Sequence, residues 1–317
     1  MKTIAEGRHE RIAAFPFDYA AQPKCRVTTC NLCGATTFVT LTHRDRYHYP
    51  AEAAGCRRCG LVFLNPVMTA DAYARFYEHT YRPLVSAFHG RLIDAITIQD
   101  EQRQYAIERL EFLTPFFDEI SGGTLLDIGG STGVVAHAVC QRFALRGTVI
   151  DPAPLEAQQA QRLGLEAIRG LVEGVDLGRR RFDAVIICQT VDHLLDIAGT
   201  LERVRALLSR GGLLFIDIVD FRAAYLRVWS VDDAIKIDHP YYLTEATMCA
   251  FLARAGFDVL GMDYAADHLH VGYMCRTGPV EGDTLPSQAE VDMLWREVRW
   301  VQNAPRYVGA AGLQPCE

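Results

Sequence analysis

Four cysteines near the start of the chain stand in two short clips, Cys30-Asn31-Leu32-Cys33-Gly34 and Cys56-Arg57-Arg58-Cys59-Gly60, with Cys33 and Cys56 23 positions apart. Two intervening residues let both sulfurs of a clip reach one ion, and two clips supply the four thiolates of a closed tetrahedral zinc site. Each clip ends on glycine, which enters a turn with φ > 0 at no steric cost. Four protein ligands leave no open position for water or substrate, so the expected role of Cys30, Cys33, Cys56 and Cys59 is structural. The competing reading is a pair of disulfides or four buried thiols.

A second cluster begins at Leu125-Leu126-Asp127-Ile128-Gly129-Gly130-Ser131-Thr132-Gly133, which reads as a strand running into a glycine-rich turn and a helix over 134–141. Glycines let a ligand approach the backbone closely, and the free N–H groups of a helix start attract a carboxylate. The G-x-G-x-x-G dinucleotide fingerprint is absent. An acid, Asp127, precedes Gly129 by two positions, and Gly129 and Gly133 bracket the loop. Asp151 lies 22 residues after Gly129 at the end of the next predicted strand, where an acid can hold two ribose hydroxyls. Taken alone, Asp151 would read as a turn or cap residue. Gln189 ends a later strand and can bond either a cofactor or an acceptor. Two histidines follow strands: His193 in Val191-Asp192-His193-Leu194 and His239 in Asp238-His239-Pro240.

These residues need elements to hold them. Residues 36–42 and 60–64 are β-prone around the cysteines, and Asn65-Pro66 closes that module. Residues 1–24 read as a loose lead-in and 69–119 as helical, one helix starting at Thr69 and another over 93–113 with Ile96, Tyr105, Ile107, Leu110 and Leu113 on its apolar positions. From 122 the pattern alternates. Strands are expected at 124–128, 146–151, 166–169, 182–188, 212–219, 257–264 and 268–276, with helices separating the first six. Near-continuous apolar runs at 185–187 and 213–218 suit parallel strands covered on both faces. Only Ala265-Ala266-Asp267 separates the last two strands, which makes an antiparallel hairpin. The fold class is therefore α/β, a doubly wound, mostly parallel sheet with a C-terminal antiparallel hairpin, plus a small N-terminal zinc-binding module. The expected division is 1–66 for the zinc module, 67–121 for a helical connector, 122–277 for the α/β domain and 278–317 for a polar tail with a helix over 288–301.

The chain has 317 residues, ten cysteines and a net charge of -7. It contains no apolar run near the ~20 residues of a membrane span, and its first residues lack the apolar stretch of a signal peptide. Ten cysteines without an export signal point to the reducing cytoplasm, with Cys140, Cys188, Cys249 and Cys275 as buried thiols. The negative total argues against a general nucleic-acid binder. Residues 1–60 nevertheless carry nine Lys/Arg against five acids, leaving -11 for the remainder. A solvated face explains that excess, and an RNA-binding zinc module is the alternative.

The Asp127-x-Gly129-x-x-x-Gly133 loop resembles that of class I S-adenosylmethionine methyltransferases. Ser131 stands where their loop most often has glycine. The four cysteines, Cys-Gly-Leu-Val-Phe-Leu-Asn-Pro at 59–66, Phe76-Tyr77 with Tyr81-Arg82, 189–194, Asp238-His239-Pro240 and Ala255-Gly256-Phe257 extend the resemblance. It reaches the bacterial sugar C-methyltransferases with an N-terminal zinc domain. Those enzymes carry Glu-His pairs where this chain has Asp192-His193 and Asp238-His239. The resemblance implies a Rossmann-like methyltransferase domain and S-adenosylmethionine held by Asp127, Gly129, Gly130, Ser131, Gly133, Asp151 and Gln189. It further implies that Tyr81 and Arg82 close the site, with an interdomain packing pair as the equal alternative, and that the acceptor is a small molecule, which it does not identify; the leading expectation is a nucleotide-linked sugar. Methyl transfer from a sulfonium is an in-line displacement in which a base can remove the acceptor's proton. Histidine, with an ordinary pKa near ~6.5, suits that task. His239 is the first choice and Asp238 its polarising partner; His193 is the second. A helix cap for His239 and a structural role for His193 compete. The other functions to weigh are an RNA base methyltransferase and a non-enzymatic zinc-dependent interaction module.

Overall fold

The structure is a computed structural model and describes residues 4–282 and 284–304. The lead-in is not loose: α1 spans Ile4–Ala13. Its Arg8 and Arg11 guanidiniums donate to the Ala87 and Phe88 carbonyls at the end of a later helix, where cations suit the negative helix terminus. Short strands follow: β1 (Lys24–Cys25), β2 (Phe38–Thr42), β3 (Ala53–Cys56), β4 (Val62–Leu64) and β5 (Val67–Met68). The Asn65 amide closes the turn between β4 and β5, accepting from Val27 N at 3.0 Å and donating to Val27 O at 3.1 Å.

Helices α2 (Ala70–His79), α3 (Tyr81–His89) and α4 (Gln99–Phe117) come next. Thr69 caps α2, its hydroxyl accepting from Ala72 N. The expected helix over 93–113 begins later, because Asp94 accepts from Ile96 N and Thr97 N and holds that stretch in a turn. Ile96 and Ile107 are exposed, and Ala106, Arg109, Leu113 and Phe117 form the buried face instead.

The α/β part contains β6 (Thr124–Ile128), α5 (Val134–Phe143), β7 (Arg146–Asp151), α6 (Pro154–Arg162), β8 (Glu166–Arg169), β9 (Phe182–Ile187), α7 (Ile197–Leu207), β10 (Leu208–Val219), α8 (Phe221–Val228) and α9 (Val231–Ala234). It continues with β11 (Tyr241–Tyr242), α10 (Glu245–Arg254), β12 (Phe257–Tyr264), β13 (His270–Thr277) and α11 (Gln288–Asn303). Seven strands form one sheet in the order β12-β13-β10-β9-β6-β7-β8. Only β13 runs antiparallel to its neighbours, inserted between β10 and β12. One expected crossover helix is missing: between β8 and β9 there is a single turn, Val172–Gly174. Gly174 and Gly178 with a polar stretch leave no apolar stripe for a helix there.

A second sheet, β11-β4-β3-β2, joins Tyr241 and Tyr242 to the strands around the cysteines. Ala53–Cys56 carries little β propensity, which is why β3 was not expected. It is buried along its whole length, and a Cβ at Gly55 would overlap the Trp295 ring of α11. The C-terminal helix is therefore more than a polar tail: Val291, Trp295, Val298 and Val301 are buried in the same cluster as Val62 and Leu64. Residues 305–317 of the expected tail lie outside the described residues. Among the described residues no helix is long and apolar enough to cross a membrane.

Candidate active site and cysteine centre

The four cysteine sulfurs converge. Cys30 Sγ lies 3.5 Å from Cys59 Sγ, and Cys33 Sγ 3.5 Å from Cys56 Sγ. All four fall within 4.8 Å of one another. Sulfurs placed ~2.3 Å from a shared tetrahedral centre lie about 3.8 Å apart, so the donor set and spacing fit zinc. Gly34 and Gly60 take φ of 70° and 79°, the left-handed turn the clips require, and their N–H groups donate to Cys30 O and Cys56 O.

A cavity of about 350 Å³ opens at the carboxyl ends of β6, β7 and β9. Asp127, Gly129, Gly130, Ser131, Asp151, Gln189, Tyr81, Arg82 and His193 all line it. Gly133 does not. It is the first residue of the α5 turn at φ 76°, and a Cβ there would meet Leu165 and Ala160. Asp238 and His239 also lie outside the lining, behind His193.

The wall at the ends of β6 and β7, the candidate cofactor wall, carries two buried acids. Asp127 is fully buried, and neither carboxylate oxygen has a hydrogen-bond partner. Burial, reinforced by Asp151, pushes its pKa up to about 8. A buried acid left without a partner calls for a ligand that supplies one, and an ammonium fits. Asp151 accepts from Ser131 N and Ala153 N, both at 2.9 Å. Burial holds it up at about 6, those two bonds working against the shift. Ser131 sits at φ 49°, a region natural to glycine. Gln189 shares that φ, and its N–H donates to Asp217, which also accepts from Tyr105 at 2.6 Å. Arg82 bonds Glu156 at 2.9 Å and Ser131 Oγ at 3.1 Å, tying α3 to the cofactor loop.

On the opposite side the two histidines lie 4.3 Å apart, ring to ring. Both acids of the sequence pairs meet His239, and His193 meets a tyrosine instead. His239 Nδ1 bonds Asp192 Oδ2 at 2.8 Å, and Asp238 Oδ2 is 3.3 Å from His239 Nε2. Burial disfavours the Asp192 carboxylate, yet His239 holds it well below the usual range. His193 Nδ1 meets the Tyr77 hydroxyl at 2.8 Å, and that hydroxyl donates to Asp238 O at 3.0 Å. Burial, aided by His239, lowers the His193 pKa to about 4. Tyr77 and Asp192 were visible only as parts of motifs, and Lys236, whose ammonium lies 3.3 Å from His239 Nε2, carried no signal in the sequence.

Residues 99–261 match a family described as a methyltransferase domain. The ubiquinone biosynthesis O-methyltransferase of Methylocella silvestris is 32% identical over 102 residues, 30% of this chain and 40% of that protein. Its Xylella fastidiosa counterpart is 28% identical over 163 residues, 46% of this chain and 66% of that protein. The C-methyltransferase NovU of Streptomyces niveus is 26% identical over 226 residues, 69% of this chain and 49% of that protein. In none of the three does the match span two thirds of the relative's own length. Magnesium protoporphyrin IX methyltransferase from Synechocystis, solved with S-adenosylhomocysteine bound, shares the fold at a TM-score of 0.50 and 12% identity, covering 66% of this chain and all of that one. The match spans half of the chain and includes every strand from β6 to β10, so the chain belongs to the methyltransferase-domain family.

Proposed function

We propose that the protein methylates a small molecule, a nucleotide-linked sugar, and that His193 takes the acceptor's proton. The observation that carries this reading is the hydrogen-bond order at Tyr77. A carbonyl cannot donate, so the single Tyr77 hydroxyl proton goes to Asp238 O. Tyr77 then offers His193 only lone pairs, and His193 must donate from Nδ1. Its Nε2 keeps the free electron pair. The lowered pKa leaves that ring neutral at physiological pH, and the Asp192 and Asp238 carboxylates favour the imidazolium once the proton arrives.

S-adenosylmethionine supplies an electrophilic methyl group when bound. Asp127 would hold its ammonium and Asp151 its ribose hydroxyls, with Gly129, Gly130, Ser131 and Gln189 along its length. His239 is assigned to position and charge rather than to contact with the acceptor. A proton lost from a carbon beside a carbonyl leads to C-methylation, and one lost from a hydroxyl to O-methylation; His193 Nε2 receives it in both cases. The NovU match is longer than residues 99–261 and so reaches beyond the methyltransferase domain, which supports an acceptor of the C-methyltransferase kind. We also infer one structural zinc on Cys30, Cys33, Cys56 and Cys59; metal analysis should return about one zinc per chain.

The test is transfer of labelled methyl groups from S-adenosylmethionine onto nucleotide-sugar pools, with mass spectrometry of the product. A methylated nucleotide sugar is the expected result. Methylation of RNA with steep salt dependence, and none of sugars, would replace this reading with the nucleic-acid one.

A further inference from the structure

The basic excess of residues 1–60 has a local consequence beside the acceptor wall. Arg46 N donates to Ile235 O at 2.9 Å, and Asp45 Oδ2 accepts from Ile237 N at 3.1 Å. These bonds stitch the β2–β3 loop to the segment that leads into His239. Two cations meet there. The Arg46 guanidinium lies 4.6 Å from the Phe88 ring centre, with Nε buried and without a hydrogen-bond partner. The Lys236 ammonium has His239 Nε2 as its polar contact at 3.3 Å. Neither makes an ion pair among the described residues, whereas Arg44 nearby is matched by Asp232 at 3.0 Å. Arg8 adds a third guanidinium, 4.2 Å from the same Phe88 ring. The buried acids on the Lys236 side are Asp238 and Asp192, whose carboxylates act on its ammonium without pairing with it; on the Arg46 side Asp45 offers little counter-charge, since it accepts three backbone N–H groups and burial lifts its pKa to about 8. Burial first and Arg46 second lower Lys236, and Arg46 likewise weighs on Arg8 and His89. These cations repel one another, and an anion would relieve them.

We propose that Arg46 and Lys236 form the anion end of the acceptor site and bind a phosphoryl group of the acceptor. One hydrogen-bond length and one ring contact separate Lys236 from His193 on the cavity wall. Arg46, Lys236 and His239 are not among the residues lining that cavity, so a sugar whose reacting carbon faces His193 would extend its phosphate past His239 to reach the two cations. The proposal rests on the reading that the acceptor enters past His193.

The test is calorimetric titration of the full chain, saturated with S-adenosylhomocysteine, with inorganic pyrophosphate. The wild type should bind. Arg46→Gln and Lys236→Gln should each weaken that binding about tenfold or more, the scale of a lost charge-assisted hydrogen bond. Arg46→Lys should keep most of it, and S-adenosylhomocysteine affinity should stay unchanged as the sign of an intact fold. Pyrophosphate binding equal in the wild type and both Gln variants, or absent from the wild type, overturns the proposal. Methyl transfer to neutral sugars without pyrophosphate binding would overturn it while leaving the methyl-transfer reading in place. Pyrophosphate binding at these cations with no sugar methylated would do the reverse.

Discussion

The two walls of the cavity are assembled in opposite ways. The wall where we place the cofactor comes mostly from one strand end and the turn after it, residues 127–131, with Asp151 closing the neighbouring strand. The opposite wall, where we place the acceptor, presents Tyr77 from α2 and His193 from the turn after β9, backed by Asp192 from the same turn and by Asp238 and His239 from the segment before β11. In the first wall, sequence neighbours act as spatial neighbours. In the second, both Asp192 and Asp238 serve His239 through their carboxylates, and the Asp238 backbone serves Tyr77, which in turn holds His193. A local motif can be read from spacing; a cluster built from three segments is fixed only by packing.

The largest effect should come from breaking the local wall. Gly129 sits at φ 70°, and a Cβ there would run into the Thr190 side chain. Gly129→Val adds a β-branched side chain to that clash, so S-adenosylhomocysteine binding should be lost in calorimetry. Undiminished affinity in a folded variant would contradict the cofactor assignment. Next in size is the acceptor wall. His193→Ala should lower turnover by roughly 10²–10⁴, the usual share of a general base, with cofactor affinity nearly unchanged. The pH profile sharpens this. A depressed pKa means that His193 is neutral above about 4 and protonated below it. The acidic limb of wild-type activity should therefore fall near pH 4 and vanish in His193→Ala. In His239→Ala the limb should move upward, since His239 adds to the depression. Full activity in His193→Ala together with loss in His239→Ala would make His239 the base.

The same contrast explains what the sequence alone disclosed. The cysteine clips, the Asp127–Gly133 loop and Asp151 carry their chemistry in short spacings. The sheet strands were legible because apolar runs such as Val185–Ile187 are buried on both faces. Two elements were misread for tertiary reasons and a third for a local one. Ala53–Cys56 becomes a strand because Trp295 packs over Gly55, and α1 is held by contacts its arginines make 76 to 80 positions away. The start of α4 is delayed by the Asp94 side chain. At the site, the sequence put His239 first because it follows a strand beside an acid. It did not show that His193 stands between His239 and the cavity.

A smaller effect separates the cofactor wall's hydroxyl contacts from its backbone geometry. Asp151→Ala should weaken S-adenosylhomocysteine by about 1–3 kcal/mol, the scale of hydrogen bonds to a charged group. With the carboxyl held up near 6, wild-type affinity should also decline as pH falls through that value. No change in either measurement would remove Asp151 from the site.

The smallest predicted effect tests the Tyr77 contact most directly. Tyr77→Phe keeps the half-buried ring and removes only the hydroxyl, which lies 2.8 Å from His193 Nδ1 and donates to Asp238 O. Without that acceptor, the proton of neutral His193 is free to move to Nε2, and the electron pair no longer faces the cavity. Losing one neutral hydrogen bond is worth about 1 kcal/mol, so turnover should drop roughly fivefold to tenfold while cofactor affinity holds. A packing defect could produce a loss of that size, and the ring nitrogens tell the two apart. In ¹⁵N NMR near pH 7, wild-type His193 should show a protonated Nδ1 and a bare Nε2, and Tyr77→Phe should show a mixture. A wild-type spectrum with the proton on Nε2 would mean that Tyr77 donates to His193 rather than to Asp238, and the base would then have to be sought at His239.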